Sequence, residues 1–202
     1  MSVTGVDLER TLAQRGALLK GHFRLSSGRH SDRFVQKFRI LEDPALLEPV
    51  ARALAQPFRV RNPSVVVGAA VGGISLAYEV ARQLGTKAIF VEKEGGVPVL
   101  RRGFTLTAHD RALIVEDVLT TGLSVKETID VVRRSGAAIV GIGAIIARDP
   151  SVILTLRQAQ GKDDIAVPVH VLLDLPLQSY DETECPQCRA GVALVDPGSR
   201  RA

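Results

Sequence analysis

An α/β fold with a mostly parallel sheet flanked by helices is predicted, and three observations predict it. Five segments are apolar almost throughout instead of alternating: Val65 to Val67, "KAIFVEKE", "ALIV", "AAIVGIGAIIAR" and "AVPVHVLLDL". Strands of that composition are buried on both faces. Helical segments that stop at glycine follow two of them. The resulting unit of strand, small-residue loop and helix occurs twice, which is the pattern of a sheet covered on both sides. A chain of 202 residues has room for one such domain and little more.

Taken in order, "VDLERTLAQRGAL" places Leu8, Leu12 and Arg15 at helical spacing and predicts a short first helix. "GHFRLSSGRHSDRFVQK" carries short alternating apolar positions around a Ser-Ser-Gly turn and predicts extended chain. "EDPALLEPVARALAQPF" has Asp43 at a cap position, Pro44 in the first turn and an apolar face of Leu46, Leu47, Val50 and Leu54, so a helix is predicted, with Pro49 inside it. The strand Val65 to Val67 leads into a small-residue loop, Gly68 to Gly73, and a helix from Ile74 to Leu84 stopped by Gly85. "KAIFVEKE" is the second strand. "GGVPVLRRGFTLTAHDR" has no clear period and holds Gly95, Gly96 and Gly103, which predicts a mobile loop or a hairpin. "ALIVEDVLTTGLSVKETIDVVRRSG" repeats the strand–loop–helix unit, ended by Gly136, and two further strands follow. From Asp196 the chain is polar, and a frayed tail is expected.

The composition narrows the function. Hydrophobic residues make up 46% and charged residues 24%, ordinary for a globular protein, and no apolar run reaches the ~20 residues of a membrane span. The opening "MSVTGVDLER" has neither an apolar core nor a cleavage pattern, and there are two cysteines. A cytoplasmic location is therefore expected. A net charge of +4 suits a polyanionic ligand. Aromatic residues are only 4%, with no Trp, which argues against a base-stacking nucleic-acid surface.

Ligands of such sheets sit at the carboxyl ends of the strands, so three loops matter: Ala69 to Gly73, Glu92 to Gly103 and Glu116 to Ser124. None has the spacing of a Rossmann or Walker loop. The third still makes a phosphate cradle, because Thr120, Thr121, Gly122 and Ser124 offer N–H groups and hydroxyls at a helix N-terminus. Glu116 and Asp117 just before it would repel a phosphate. They make sense facing vicinal hydroxyls or a divalent cation on the same ligand, and the combination describes a ribose 5-phosphate. Without the loop behind them, the same two acids would read as a helix cap and a solvated neighbour.

"LIVEDVLTTGLS" resembles the phosphoribosyl pyrophosphate motif of the type I phosphoribosyltransferases. "GHFRLSSGRHSDRFVQ" resembles the N-terminal segment of orotate phosphoribosyltransferases, and "CPQCRAG" resembles the end of their short bacterial form. The likeness runs from about Gly21 to Gly191. It implies a single domain, with a small hood formed mainly by residues 1–40, an α/β core over 41–175 and a C-terminal segment over 176–202. It implies transfer of ribose 5-phosphate from phosphoribosyl pyrophosphate to orotate with Mg²⁺ as cofactor, giving orotidine 5′-phosphate and pyrophosphate. It also implies a homodimer that shares its active sites. Carried over by residue, Ala70, Val71, Gly72 and Gly73 would approach the pyrophosphate with their backbone. Glu116 and Asp117 would take the ribose hydroxyls, and Val118, Leu119, Thr120, Thr121, Gly122, Leu123 and Ser124 would complete the phosphoribosyl site. Lys93, with Arg101 and Arg102, would neutralise the leaving group, and these three with Asp117 would be the catalytic set. Phe34, Thr120 and Arg148 would meet orotate. No protein ligand to the metal is assigned, Mg²⁺ being held mainly through the substrate.

The chain departs from that family at Ser26, where many members carry Lys, at Val71-Gly72, where many carry Tyr-Lys, and in the mobile loop, where the family's Lys-x-x-Lys-x-His pattern has no counterpart and no His lies between Glu92 and Gly103. Lys93-Glu94 also reads as a surface ion pair, Arg101-Arg102 as a solvated loop and Phe34 as ordinary core. His22 and His30 are expected at the surface or in hydrogen bonds. Cys185 and Cys188 form half of a zinc motif without a second cysteine pair, so a turn with two reduced thiols is expected, a bridge across a dimer axis being the other reading. Two rival functions are a phosphoribosyl pyrophosphate-binding regulator, for which the chain has no spare length, and a purine or uracil phosphoribosyltransferase, which would lack "SSGRHS".

Overall fold

In a computed structural model, residues 5–25, 27–158 and 167–197 are described. Ser26, Ala166 at the start of the predicted fifth strand, and the tail beyond Pro197 lie outside them. Helix α1 (Gly5–Gln14) leads through Gly16, which adopts φ +67°, into the hairpin β1 (Leu18–Arg24) and β2 (His30–Val35). Then come α2 (Phe38–Leu41), α3 (Pro44–Ala55), a 3₁₀-helix (Gln56–Arg61), β3 (Val65–Ala69), α4 (Gly72–Leu84), β4 (Lys87–Glu94) and β5 (Val97–Leu100). They are followed by β6 (Arg111–Leu119), α5 (Leu123–Arg134), β7 (Ala138–Ala147), α6 (Ser151–Gln158), β8 (Val169–Asp174) and a last short helix α7 (Pro186–Arg189).

The main sheet has the order β5-β4-β3-β6-β7-β8. The five strands predicted from apolar runs are all present and parallel; β5 is added antiparallel at the edge. The glycine-rich third segment thus begins as a hairpin, with Gly95 and Gly96 at positive φ in its turn. Residues from α1, α3 and α4, among them Leu12, Val50, Leu54 and Leu76, pack on one face of the sheet. Val125, Ile129, Val132 and Leu156 from α5 and α6 pack on the other. Asp43 caps α3 by accepting from the Ala45 N–H at 3.0 Å, with Pro44 in the first turn.

The 3₁₀-helix, α6 and the start of α4 differ from what the sequence predicts. The 3₁₀-helix after α3 seats Phe58 against β7, and Gly141 makes room for it, since a Cβ there would come within 2.3 Å of the Phe58 ring. Helix α6 starts after Asp149, which accepts from the Ser151 N–H at 2.9 Å. Helix α4 begins two residues earlier than Ile74, at Gly72, because the loop doubles back on its own strand. A Cβ on Gly68 would lie 2.2 Å from the Gly73 carbonyl oxygen.

The β1–β2 hairpin is stitched to the C-terminal segment. His30 exchanges backbone hydrogen bonds with Tyr180, both at 2.8 Å, and Arg24 N–H donates to the Val195 carbonyl at 2.9 Å. His22 and His30 are buried there, each 2% exposed, which corrects the surface reading. They are hydrogen-bonded in that interior.

Candidate active site

Strand β6 does not stop at its acids; it runs through them to Leu119, with Glu116 opposite Ala144 and Leu119 opposite Ala147. Both carboxylates are consequently buried, Asp117 at 2% exposure. Asp117 has a protein partner, Lys37 Nζ, at 2.9 Å from Oδ2, and its Oδ1 accepts from the Val118 N–H at 2.7 Å. Lys37 follows β2 directly, so this ion pair joins the hairpin region to the sheet. Glu116 has no cation of its own. Its Oε1 accepts from the Asp117 N–H at 3.0 Å, while burial, and then the charge of Asp117, push its carboxyl up to about 8. At neutral pH Glu116 holds a proton until something favours its ionised form.

Behind the acids the chain turns through Thr120 and Thr121 to Gly122, which adopts φ +72° and opens α5. A Cβ at Gly122 would also meet Val152 Cγ1 at 2.8 Å, so α6 presses on this turn. Glu116 and residues 118–125 enclose a recess of about 30 Å³ at the helix N-terminus, where N–H groups and the helix dipole favour an anion.

A second cavity, about 350 Å³, adjoins it at Ser124 and is walled by Ala69, Ala70, Val71, Lys93, Glu127 and others. The backbone of the loop is therefore open to a ligand, and the Ala70–Val71 peptide is cis. Gly72 is pressed against the acids: a Cβ there would stand 1.7 Å from Asp117 Oδ2. Lys93 is brought to this cavity, paired with Glu127 at 2.8 Å. Arg101 and Arg102 are not among its walls. They pair with Glu94 at 3.3 Å and Glu92 at 3.1 Å on their own hairpin.

The third cavity, about 450 Å³, shares Thr120 and Thr121 with the phosphate recess. Arg148 lies in its wall with Ser27, Arg29 and residues 176–179. Arg148 Nε is buried and has no hydrogen-bond partner among the described residues, and burial lowers the guanidinium's pKa. The obvious rival partner, Asp149, is turned to Ser151. Arg29 is held by Ser179 Oγ at 3.0 Å and Asp181 at 2.8 Å. Phe34 is not among these walls; it packs on Phe23, ring centroids 5.8 Å apart. Lys37, Glu127 and Arg29 were missed from sequence because their partners lie 80, 34 and about 150 residues away.

A family profile described as a phosphoribosyl transferase domain matches residues 38–154. The orotate phosphoribosyltransferase of Caldanaerobacter subterraneus subsp. tengcongensis is 46% identical over 182 residues, 90% of each chain. That of Pelotomaculum thermopropionicum is 44% identical over 199 residues, covering 98% of this chain and 100% of the relative. Among solved structures, orotate phosphoribosyltransferase from Aeropyrum pernix superposes with a TM-score of 0.69 at 27% identity, over 83% of this chain and 93% of that one.

Proposed function

This chain belongs to the phosphoribosyltransferase family, and from that premise we propose that it is an orotate phosphoribosyltransferase, a pentosyltransferase of pyrimidine biosynthesis. The observation that carries the choice of base is Arg148: a half-buried guanidinium whose buried Nε has no partner among the described residues, in a cavity that shares two threonines with the recess at the start of α5. An unpaired buried donor is costly, and a carboxylate is the group that satisfies it best. Orotate differs from uracil by that carboxylate.

In this reading the ribose 5-phosphate sits in the recess of residues 118–125, its hydroxyls against Glu116 and Asp117, and its pyrophosphate over Ala70 to Gly73 beside Lys93. N1 of orotate loses its proton, to solvent or to the departing pyrophosphate, and bonds to the anomeric carbon while the bond from that carbon to pyrophosphate breaks. No residue needs to act as nucleophile; the chain holds the partners in line and balances charge. The buried acid pair with only Lys37 against it fits a hard cation delivered with the substrate. Mg²⁺ bound through the pyrophosphate would neutralise the departing charge. The site is completed in a homodimer, with Arg101 and Arg102 of one subunit reaching the partner's site, so sedimentation should give twice the chain's mass. The location is the cytoplasm.

The test is pyrophosphate release from phosphoribosyl pyrophosphate and Mg²⁺ with orotate, uracil, adenine or hypoxanthine in turn. Turnover with orotate alone is expected. Turnover with a base lacking a carboxylate, or with none of the four, rejects the proposal.

Glu116 makes ligand binding depend on pH. Ribose hydroxyls donate to a carboxylate, so they bind its ionised form, and below about 8 binding must expel a proton. Affinity for phosphoribosyl pyrophosphate is therefore expected to rise with pH and level off above about 8. Calorimetry at neutral pH in two buffers of different ionisation enthalpy should show proton release that Glu116→Gln abolishes. Equal heats in both buffers would mean that Glu116 does not change its charge.

A further inference from the structure

We propose that His22, His30, Cys185 and Cys188 bind a structural zinc ion that fastens the C-terminal segment to the β1–β2 hairpin. The Cys-x-x-Cys pair is half of such a site by sequence. Folding supplies the other half from 163 residues away. His30 lies opposite Arg24, and His22 sits where the β1 register shifts, between Lys20 and Phe23; there its ring meets that of His30 edge-on, centroids 4.9 Å apart. Cys185 precedes α7, and that helical turn brings Cys188 back beside it.

One ligand atom from each of the four lies within 4.8 Å of every other. His22 Nε2 is 3.0 Å from His30 Nδ1, 3.5 Å from Cys185 Sγ and 3.6 Å from Cys188 Sγ, and His30 Nδ1 is 3.2 Å from Cys188 Sγ. Zinc bonds of about 2.0–2.1 Å to nitrogen and about 2.3 Å to sulfur give tetrahedral edges of roughly 3.3 Å for N–N and 3.6 Å for N–S. These four separations fall at or inside those edges, and the remaining two pairs lie within 4.8 Å.

A plain hydrogen-bond network explains the cluster less well. His22 Nδ1 lies 2.8 Å from the Val192 carbonyl oxygen, which can only accept, so Nδ1 carries the proton. Nε2 is then a bare lone pair, yet three heavy atoms crowd around it where a lone pair suits one donor. The same carbonyl contact is the outer support that zinc-bound histidines usually have, fixing tautomer and ring angle. His22, His30 and Cys185 are at most 2% exposed. Two thiolates balance the charge of Zn²⁺ once their protons are released. Two sulfurs and two nitrogens in a tetrahedron suit zinc, and four protein ligands leave no open position, so the ion holds structure and does no chemistry.

The test needs no activity. Protein purified with a thiol reductant should contain one zinc per chain by mass spectrometry of its metals. Titrating Cys185 and Cys188 with a mercurial should release that zinc. Cobalt in its place should show thiolate charge-transfer absorption together with the visible bands of tetrahedral Co²⁺. A strong chelator should lower Tm, and added zinc should restore it. Cys185→Ser/Cys188→Ser should lose both metal and chelator sensitivity; if that variant does not fold, the wild-type mercurial titration decides alone. The proposal is overturned by reduced protein with two free thiols and no uptake of zinc or cobalt. A Cys185–Cys188 disulfide in the protein as purified overturns it too, as does iron–sulfur absorption, or zinc that the double variant retains.

Discussion

Gly72→Ala is expected to lower kcat/KM about 100-fold or more while the protein still folds. The added Cβ would sit 1.7 Å from Asp117 Oδ2 and 3.1 Å from Lys37 Nζ. Asp117 cannot step aside cheaply, because its backbone is locked in the ladder between Glu116 and Val118 opposite β7. Either the carboxylate swings away from the hydroxyl site or the loop lifts off the strand end. A shift of about 1 Å in such a positioning group costs on the order of 100-fold in rate. The overlap is local, so the stability loss should stay near the ~1–3 kcal/mol of an overpacked site. Gly72 is not at positive φ, so alanine adds bulk there without a backbone penalty. Steady-state kinetics beside a melting curve check this. Near wild-type kcat/KM would show that the loop and Asp117 need not touch during turnover, and a chain that never folds would make the contact structural.

Arg148→Ala is expected to weaken orotate binding by about 1.5–3 kcal/mol, the range for a hydrogen bond to a charged group, or roughly ten- to a hundredfold. Its Nε has no other partner to lose, so removing the side chain should leave the fold nearly intact. Phosphoribosyl pyrophosphate should bind as before, because residues 118–125 and Ala70 to Gly73 hold it. Lysine should recover part of the loss only, since it has no planar fork. Separate titrations of the two ligands decide the matter, and equal losses for both, or none for orotate, would remove Arg148 from the base site.

What could be read from the chain alone was whatever depends on neighbours in sequence. Unbroken apolar runs revealed the five parallel strands, and the Asp43-Pro44 start revealed α3. Edge strand β5 was legible only as one of two readings, loop or hairpin, because "VPVL" is short and followed directly by two arginines. Helix α6 was hidden because only the Asp149 cap announces it. At the site, the two acids and the threonine turn form one continuous word of sequence. Their electrostatic state does not, because it depends on Lys37, 80 residues earlier, and on burial between β3 and β7. Arg101 and Arg102 show the converse. Their positive charge was plain in the sequence, but the glutamates that hold it were not. The histidines and cysteines were each visible; that they meet was not, since a hairpin and a distant helical turn have to close on each other first.

The stitching of β1 and β2 to residues 180–195 has a consequence for the order in which the molecule is made. A chain leaving the ribosome presents the β1–β2 hairpin early, but the backbone partners of His30 and Arg24 are Tyr180 and Val195, which are translated long after it. Strands β3 to β8 can pair with one another before that, as domains often do during synthesis. The cavity beside Arg148 cannot be complete then, because residues 176–179 form part of its wall. The nascent chain is thus expected to form the recess of residues 118–125 first and the cavity beside Arg148 only once residues 176–179 have followed.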